Sequence, residues 1–347
     1  MASSLILVLV SSLAFFSTIS EAQTYPPIVD GLSFNFYECI CPHAEFIIRN
    51  FLSTAFKSNI SLAAGLLRIH FHDCFVQGCD GSVLLDGTAS DPSEKDQLPN
   101  LTLQPAAFKA INDIKALLDQ ACGQVVSCAD IAALAARDSV YLSGGPNYKV
   151  PLGRRDSLTF ASRNATLAGL PAPTSNVTTL LEVFNKINLD TTDLVTLSGG
   201  HTIGRAHCSS FNNRLFPSPD PTMNKSFAKN LYLTCPTNTT VNTTVNDIRS
   251  PNAFDNKYYV DLMNREGLFT SDQDMYTDSR TKPTVTSFAI NQSLFFENFV
   301  YSIVKMGQVS VLTGDQGEIR ANCSAPNPTT KFLWSVVDGE EREKLAY

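Results

Sequence analysis

Residues 67–80 read Leu-Arg-Ile-His-Phe-His-Asp-Cys-Phe-Val-Gln-Gly-Cys-Asp, and the rest of the chain is organised around them. The apolar run before this stretch predicts a helix from about Leu62. On a helix, Arg68 and His72 stand four residues apart and share one face, with Phe71 beside them. That sets a permanent cation next to a proton acceptor. Asp73 follows at once, and Cys74 and Cys79 bracket a short loop that runs into Asp80, Gly81 and Ser82. Acid–base chemistry and an oxygen-rich ion site therefore adjoin. His70 falls on a different face and reads as a core histidine. His72 does not, because an arginine one turn away is rarely placed in apolar surroundings without a partner or a task.

The 347 residues are 44% hydrophobic and 17% charged, ample for a buried core in one large or two fused domains. The formal net charge is −7 and no lysine or arginine run occurs, which argues against a nucleic-acid partner. The start, MASSLILVLVSSLAFF, is too short and too broken by serine to span a bilayer, and it leads to Ser20-Glu21-Ala22. We read 1–22 as a signal peptide cleaved before Gln23. No later stretch suits a membrane span. Nine cysteines (Cys39, Cys41, Cys74, Cys79, Cys122, Cys128, Cys208, Cys235 and Cys323) fit an oxidising compartment. Neither a pair of CxxC motifs nor CxxCH is present, so zinc and covalently tethered haem find no support. The residues alone leave the disulfide pairing open. Nine Asn-x-Ser/Thr sequons (Asn59, Asn100, Asn164, Asn176, Asn224, Asn238, Asn242, Asn291 and Asn322) add to the secretory reading.

Apolar periodicity predicts helices over 44–57, 106–121 and 127–142, the last opening on Ser127-Cys-Ala-Asp130 as a capping-box-like start. Residues 86–105 read as a long polar loop. Val150-Pro-Leu-Gly-Arg-Arg-Asp156 is too short and too rich in breakers for a helix and reads as a strand or turn. Helical pattern resumes from Thr174 and runs into Ser198-Gly-Gly-His-Thr-Ile-Gly204; further helices are predicted near 226–233, 256–265 and 285–306. Strand signals are few and no internal repeat is present.

The stretch 67–80 closely resembles the distal haem helix of the secreted plant haem peroxidases, the class III family. The resemblance extends from about Phe34 to Cys323 through HFHDC, GCDGS, VSCAD, VPLGRRD, LSGGHT, FDNKYY, SDQ and IRANC, in the family's order. It implies a mainly α, haem-dependent peroxidase fold with little β structure, in which two helical halves of a domain spanning 23–326 enclose one haem b. Four bridges are implied, Cys41–Cys122, Cys74–Cys79, Cys128–Cys323 and Cys208–Cys235, leaving Cys39 unpaired. The segment 327–347 would then be a C-terminal extension, either a vacuolar sorting signal removed on maturation or a disordered end.

The same resemblance implies roles. His72 is the general base and then general acid toward hydrogen peroxide, Arg68 stabilises the charge that develops as the O–O bond breaks, and Phe71 belongs with them. Asn100 in SEKDQLPN accepts a hydrogen bond from His72, which removes Asn100 as a glycan acceptor. His201 is the haem iron ligand, in a glycine-flanked segment suited to close approach to a flat cofactor, and Asp272 in TSDQD is its carboxylate partner. One calcium ion falls to Asp73, Val76, Gly78, Asp80 and Ser82 with Glu94 linking to it; a second falls to Thr202, Asp247, Ser250, Ala253 and Asp255. Pro171 in LPAP offers its carbonyl to aromatic donors at the haem edge. The implied activity is reduction of hydrogen peroxide to water with one-electron oxidation of small phenolic donors, by a secreted monomer, in lignification, wall cross-linking, stress response or peroxide removal.

Two rival readings are weighed against it. A non-catalytic secreted haem- and calcium-binding wall glycoprotein has no need of Arg68, His72 and His201 together, yet all are present. A metal hydrolase using His70, His72 and Asp73 fails on geometry, since residues two apart on a helix point to different faces.

Overall fold

The computed structural model describes residues 24–328. The signal-peptide reading, Gln23 and residues 329–347 of the C-terminal extension lie outside the described residues. Within them the chain is mainly helical. The first group is α1 (Ala44–Ser58), α2 (Ser61–Val76), α3 (Pro105–Cys122) and α4 (Cys128–Leu142), followed by a short α5 (Arg163–Gly169). The second comprises α6 (Val177–Lys186), α7 (Thr191–Ser198), α8 (Lys225–Thr234), α9 (Lys257–Met263), α10 (Thr270–Thr277), α11 (Lys282–Ile290) and α12 (Gln292–Met306).

Helix α4 is the centre of the first group. Every residue from Cys128 to Val140 is buried, which an alanine-rich helix permits because neighbours approach it closely on all sides. α2 packs along it, with α1 and α3 alongside. α1 shows how the pattern works: Ala44, Ile48, Leu52 and Phe56 recur every four residues and are its buried stripe.

At the start of α4 the structure differs from the predicted capping box. Ser127 does accept from the Asp130 N–H at 3.1 Å. The Asp130 carboxylate, however, does not return the bond. It takes the Tyr37 hydroxyl (2.8 Å), the Gly153 N–H (2.8 Å) and Arg154 Nη1 (2.8 Å). Asp156, from the same VPLGRRD segment, accepts the Cys128, Ala129 and Arg320 N–H groups instead. A buried arginine demands its own carboxylate, so Arg154 outcompetes the local cap. The segment 150–156 is held by isolated bridges, Leu152 to Ser33, Arg155 to Leu312 and Asp156 to Glu318.

In the second group α7 packs on α12 and α9 on α11. The helix expected over 285–306 is two helices, broken at Asn291, whose side chain accepts the Leu294 N–H at 3.1 Å and starts α12. Helices α5 and α10 were not anticipated. Neither was the small antiparallel sheet of β1 (Arg205–His207) and β2 (Thr243–Val245). Its register pairs Arg205 with Val245, so it brings Thr202, three residues before β1, toward Asp247, two after β2.

Four disulfides join Cys41 to Cys122, Cys74 to Cys79, Cys128 to Cys323 and Cys208 to Cys235. Cys39 is free and exposed. Cys128–Cys323 closes 195 residues, the longest loop of the four. Long loops gain most on the chain-entropy account, about 4–5 kcal/mol. A second, smaller core of Phe211, Leu215, Phe227 and Leu231 forms around Cys208–Cys235. Among the described residues no helix is long and apolar enough to cross a membrane.

Candidate active site

Helix α2 delivers Arg68 and His72 as its spacing requires. Arg68 Nε donates to His72 Nε2 at 3.1 Å, and His72 Nδ1 lies 2.5 Å from Asn100 Oδ1. The two contacts together assign the tautomer. A guanidinium only donates, so Nε2 carries no proton, and Nδ1–H donates to the amide oxygen. Asn100 is itself oriented, because its Nδ2 donates to the Glu94 carbonyl at 2.7 Å. It is 3% exposed, which agrees with its removal from the glycan acceptors. Burial, and then the neighbouring Arg68, pull the His72 pKa down to about 3, so the ring is neutral at neutral pH. Burial also brings Arg68 down to about 10, leaving it a cation.

Arg68 is anchored by residues the sequence did not single out. Its Nη1 donates to the Thr102 carbonyl and hydroxyl (3.1 and 3.0 Å), and Nη2 to the Pro99 carbonyl (3.0 Å). The loop 94–102 thus holds both partners of the pair. Phe71 stands edge-on to His72 with centroids 5.1 Å apart. His70 turns away: its Nδ1 is 3.7 Å from Cys74 Sγ, and Arg154 and Gly307 are its other neighbours. The two histidines do not converge, which disposes of the hydrolase reading.

On the other side, α7 ends at Ser198 and a 3₁₀ turn over Gly199–Thr202 presents His201. His201 Nδ1 is 2.8 Å from Asp272 Oδ1, so Nε2 is the nitrogen left to bind, on a ring 41% exposed. Asp272 sits in the first turn of α10, a helix the sequence reading missed. Gly199 serves packing, because a Cβ there would strike the Tyr259 hydroxyl and the Phe295 ring; one on Gly200 would make only an ordinary contact, 3.5 Å from Leu67 of α2. Gly204, just after that turn, comes closer still, with room for no Cβ beside Ala64 of α2, so the His201 turn lies beside the helix that carries Arg68 and His72.

The oxygen-rich cluster below α2 gathers Asp73, Asp80, Ser82 and Glu94, all buried. Asp73 accepts the Gly81 N–H (2.9 Å) and Asp80 the Ser82 N–H (3.0 Å). The Gly78 carbonyl accepts the Asp80 N–H (2.9 Å), and the Val76 carbonyl is among the last four of α2, which have no intrahelical donor. Glu94 Oε1 takes the Ala161 N–H at 2.7 Å, while Glu94 Oε2 and Ser82 Oγ are buried with no partner. Burial raises Asp73, Asp80 and Glu94, and Asp80 raises Asp73 further.

The second set converges as well. Thr202 Oγ1 lies 3.0 Å from Asp247 Oδ2, 3.5 Å from the Ala253 carbonyl and 3.4 Å from Asp255 Oδ1; Ser250 Oγ reaches the same two carboxylates at 3.4 and 3.0 Å. Among the described residues no group of three or more His, Cys, Asp or Glu forms a metal cluster. Both sets mix carboxylates with hydroxyls and carbonyls, the donors that calcium prefers and zinc does not.

Pro171 is half-buried in the segment after α5. Gly169 packs on the backbone of Phe75 and Val76, and the Pro173 carbonyl accepts the Ser271 N–H at 3.0 Å. Pro171 therefore lies on a strap running from α2 to α10, between the two histidine sides.

A family model described as peroxidase matches residues 48–291. The chain is 61% identical over 319 residues to cationic peroxidase SPC4 of Sorghum bicolor, covering 91% of this chain and 88% of that protein. It is 62% identical over 315 residues to peroxidase 12 of Arabidopsis thaliana, with the same coverage. Peroxidase C1B of Armoracia rusticana is 42% identical over 343 residues, covering 96% and 95%.

Proposed function

The chain belongs to the class III haem peroxidases of plants and reduces hydrogen peroxide, and from that premise we propose that Arg68, His72 and Asn100 carry its peroxide chemistry opposite His201. One observation supports this most: a neutral His72 fixed between an arginine donor and an amide acceptor. His72 Nε2, bare of a proton, takes one from hydrogen peroxide and returns it to the departing oxygen. Arg68, anchored by Thr102 and Pro99, is the cation beside this base; its Nε–H must leave His72 Nε2 as the peroxide proton arrives, and it then stabilises the negative charge on that oxygen. Asn100 keeps the ring in the one tautomer that can do this.

Haem b suits the proximal residues: His201 Nε2 would hold its iron, and the Asp272 hydrogen bond on Nδ1 would raise the basicity of the ligand. When bound, haem supplies the two-electron reduction of peroxide and the one-electron steps with donors. Phenolic donors meet the strap at Pro171. Two calcium ions suit the oxygen sets; the orphaned Glu94 and Ser82 oxygens call for a hard cation, which would reverse the carboxylates' preference for protons. We read the peroxidase domain as 23–326, in a secreted monomer that engages neither nucleic acid nor membrane; 327–347 is a C-terminal extension that would direct it to the vacuole only if it is a sorting segment. No relative's name favours a non-catalytic wall protein.

The test is His72→Ala. Stopped-flow mixing with peroxide should show retained haem and a reaction slowed by more than roughly a hundredfold, the lower range for a positioned acid–base group. Unchanged kinetics would remove His72 from the mechanism.

A further inference from the structure

FDNKYY places two tyrosines in succession on α9, and the structure gives them different work. Tyr259 donates to the carbonyls of Val195 (2.9 Å) and Thr196 (3.3 Å), stitching α9 to α7. Tyr258 instead donates to Asp272 Oδ1 at 2.9 Å, the same oxygen that His201 Nδ1 meets at 2.8 Å. The other oxygen, Oδ2, accepts the Phe269 N–H at 3.1 Å. Tyr258 is 2% exposed and Asp272 3%, so water does not substitute for any of these donors. The Tyr258 ring also stands edge-on to His201, centroids 6.0 Å apart at 80°.

We propose that Tyr258 is a positioning residue for His201: by sharing Asp272 Oδ1, it limits how strongly that carboxylate draws on the His201 Nδ1 proton, and so how strongly Nε2 donates to the haem iron. This rests on His201 being the iron ligand. A carboxylate oxygen divided between two donors bonds each less strongly than one serving a single donor, and partners at this remove tune a ligand's basicity. Burial and the adjacent Asp272 hold the Tyr258 phenol well above its usual pKa, so it remains a donor.

The experiment uses haem-loaded protein and reads the iron–imidazole stretching band of the ferrous form together with the ferric/ferrous midpoint potential. Tyr258→Phe should raise the stretching frequency and shift the ferric/ferrous equilibrium toward ferric by roughly tenfold, the low end of what partners of a ligating histidine contribute. Replacing Tyr258 by 3-fluorotyrosine, a stronger donor of the same shape, should move both the opposite way. Unchanged readouts in loaded Tyr258→Phe, or shifts of the same sign in the two variants, overturn the proposal. If Tyr258→Phe does not fold, the fluorotyrosine protein decides alone. Absence of the band in the wild type would instead overturn the assignment of His201 as ligand.

Discussion

Asn100 does two things with one amide: Oδ1 fixes the His72 tautomer, and Nδ2 ties that fixture to the Glu94 backbone. Replacing it with valine removes both. The expected outcome for Asn100→Val is retained haem with peroxide reduction slowed by roughly ten- to a hundredfold, as for other partners of functional histidines; single-turnover kinetics checks it. His70 has no such task, and its consequence is for stability. Burial, then Arg154, lower its pKa from 6.5 to about 3. Between those values the unfolded chain takes up a proton that the folded protein refuses. Stability is therefore full above pH 6.5 and falls as the pH drops, by about 1.4 kcal/mol per pH unit for one such group. His70→Gln should flatten the decline of Tm between pH 6 and 4. An identical slope in the variant would show that His70 does not contribute. The Arg68–His72 pair was legible in the sequence because four-residue spacing on a helix fixes a shared face. Thr102 and Pro99 were not, because carbonyl anchors carry no residue signature.

At the scale of elements, Asp193 connects the helix before His201 to the rest of its half. It sits in the first turn of α7, closes a capping box with Asp190 and binds Ser302 Oγ (2.7 Å) and Lys305 Nζ (2.6 Å) of α12. Asp193→Ala removes all three interactions and leaves a buried hydroxyl unpaired. A loss of about 2–4 kcal/mol is expected from denaturant unfolding. α2 and α4 announce themselves by long apolar periodicity, whereas α10, Thr270-Ser-Asp-Gln-Asp-Met-Tyr-Thr277, is polar almost throughout and has no stripe to read. Its Asp272 lies 71 positions from His201, and the residues alone offer no reason to pair them. The break at Asn291 was missed for a related reason. Apolar residues continue on both sides, and only the asparagine's ability to cap the next helix marks the boundary.

At the scale of the molecule, the two oxygen sets tie distant segments together, one joining α2 to the loop 80–94 and the other joining the His201 turn to 247–255. Calcium bound only by the folded state would add about 2.7 kcal/mol at a hundredfold excess over Kd. Chelation should therefore lower Tm and, through Glu94 and Asn100, slow peroxide reduction before haem is lost; restored calcium should reverse both, and indifference to chelator would contradict the assignment. The most direct test of the whole account is the absorption spectrum of the protein, purified with calcium, before and after one equivalent of hydrogen peroxide and again after a phenol. The account predicts a Soret band that shifts with peroxide and reverts with the phenol, in wild type but not at comparable rate in His72→Ala. A folded, calcium-loaded protein with no Soret band, or with one that peroxide leaves unmoved, would contradict it.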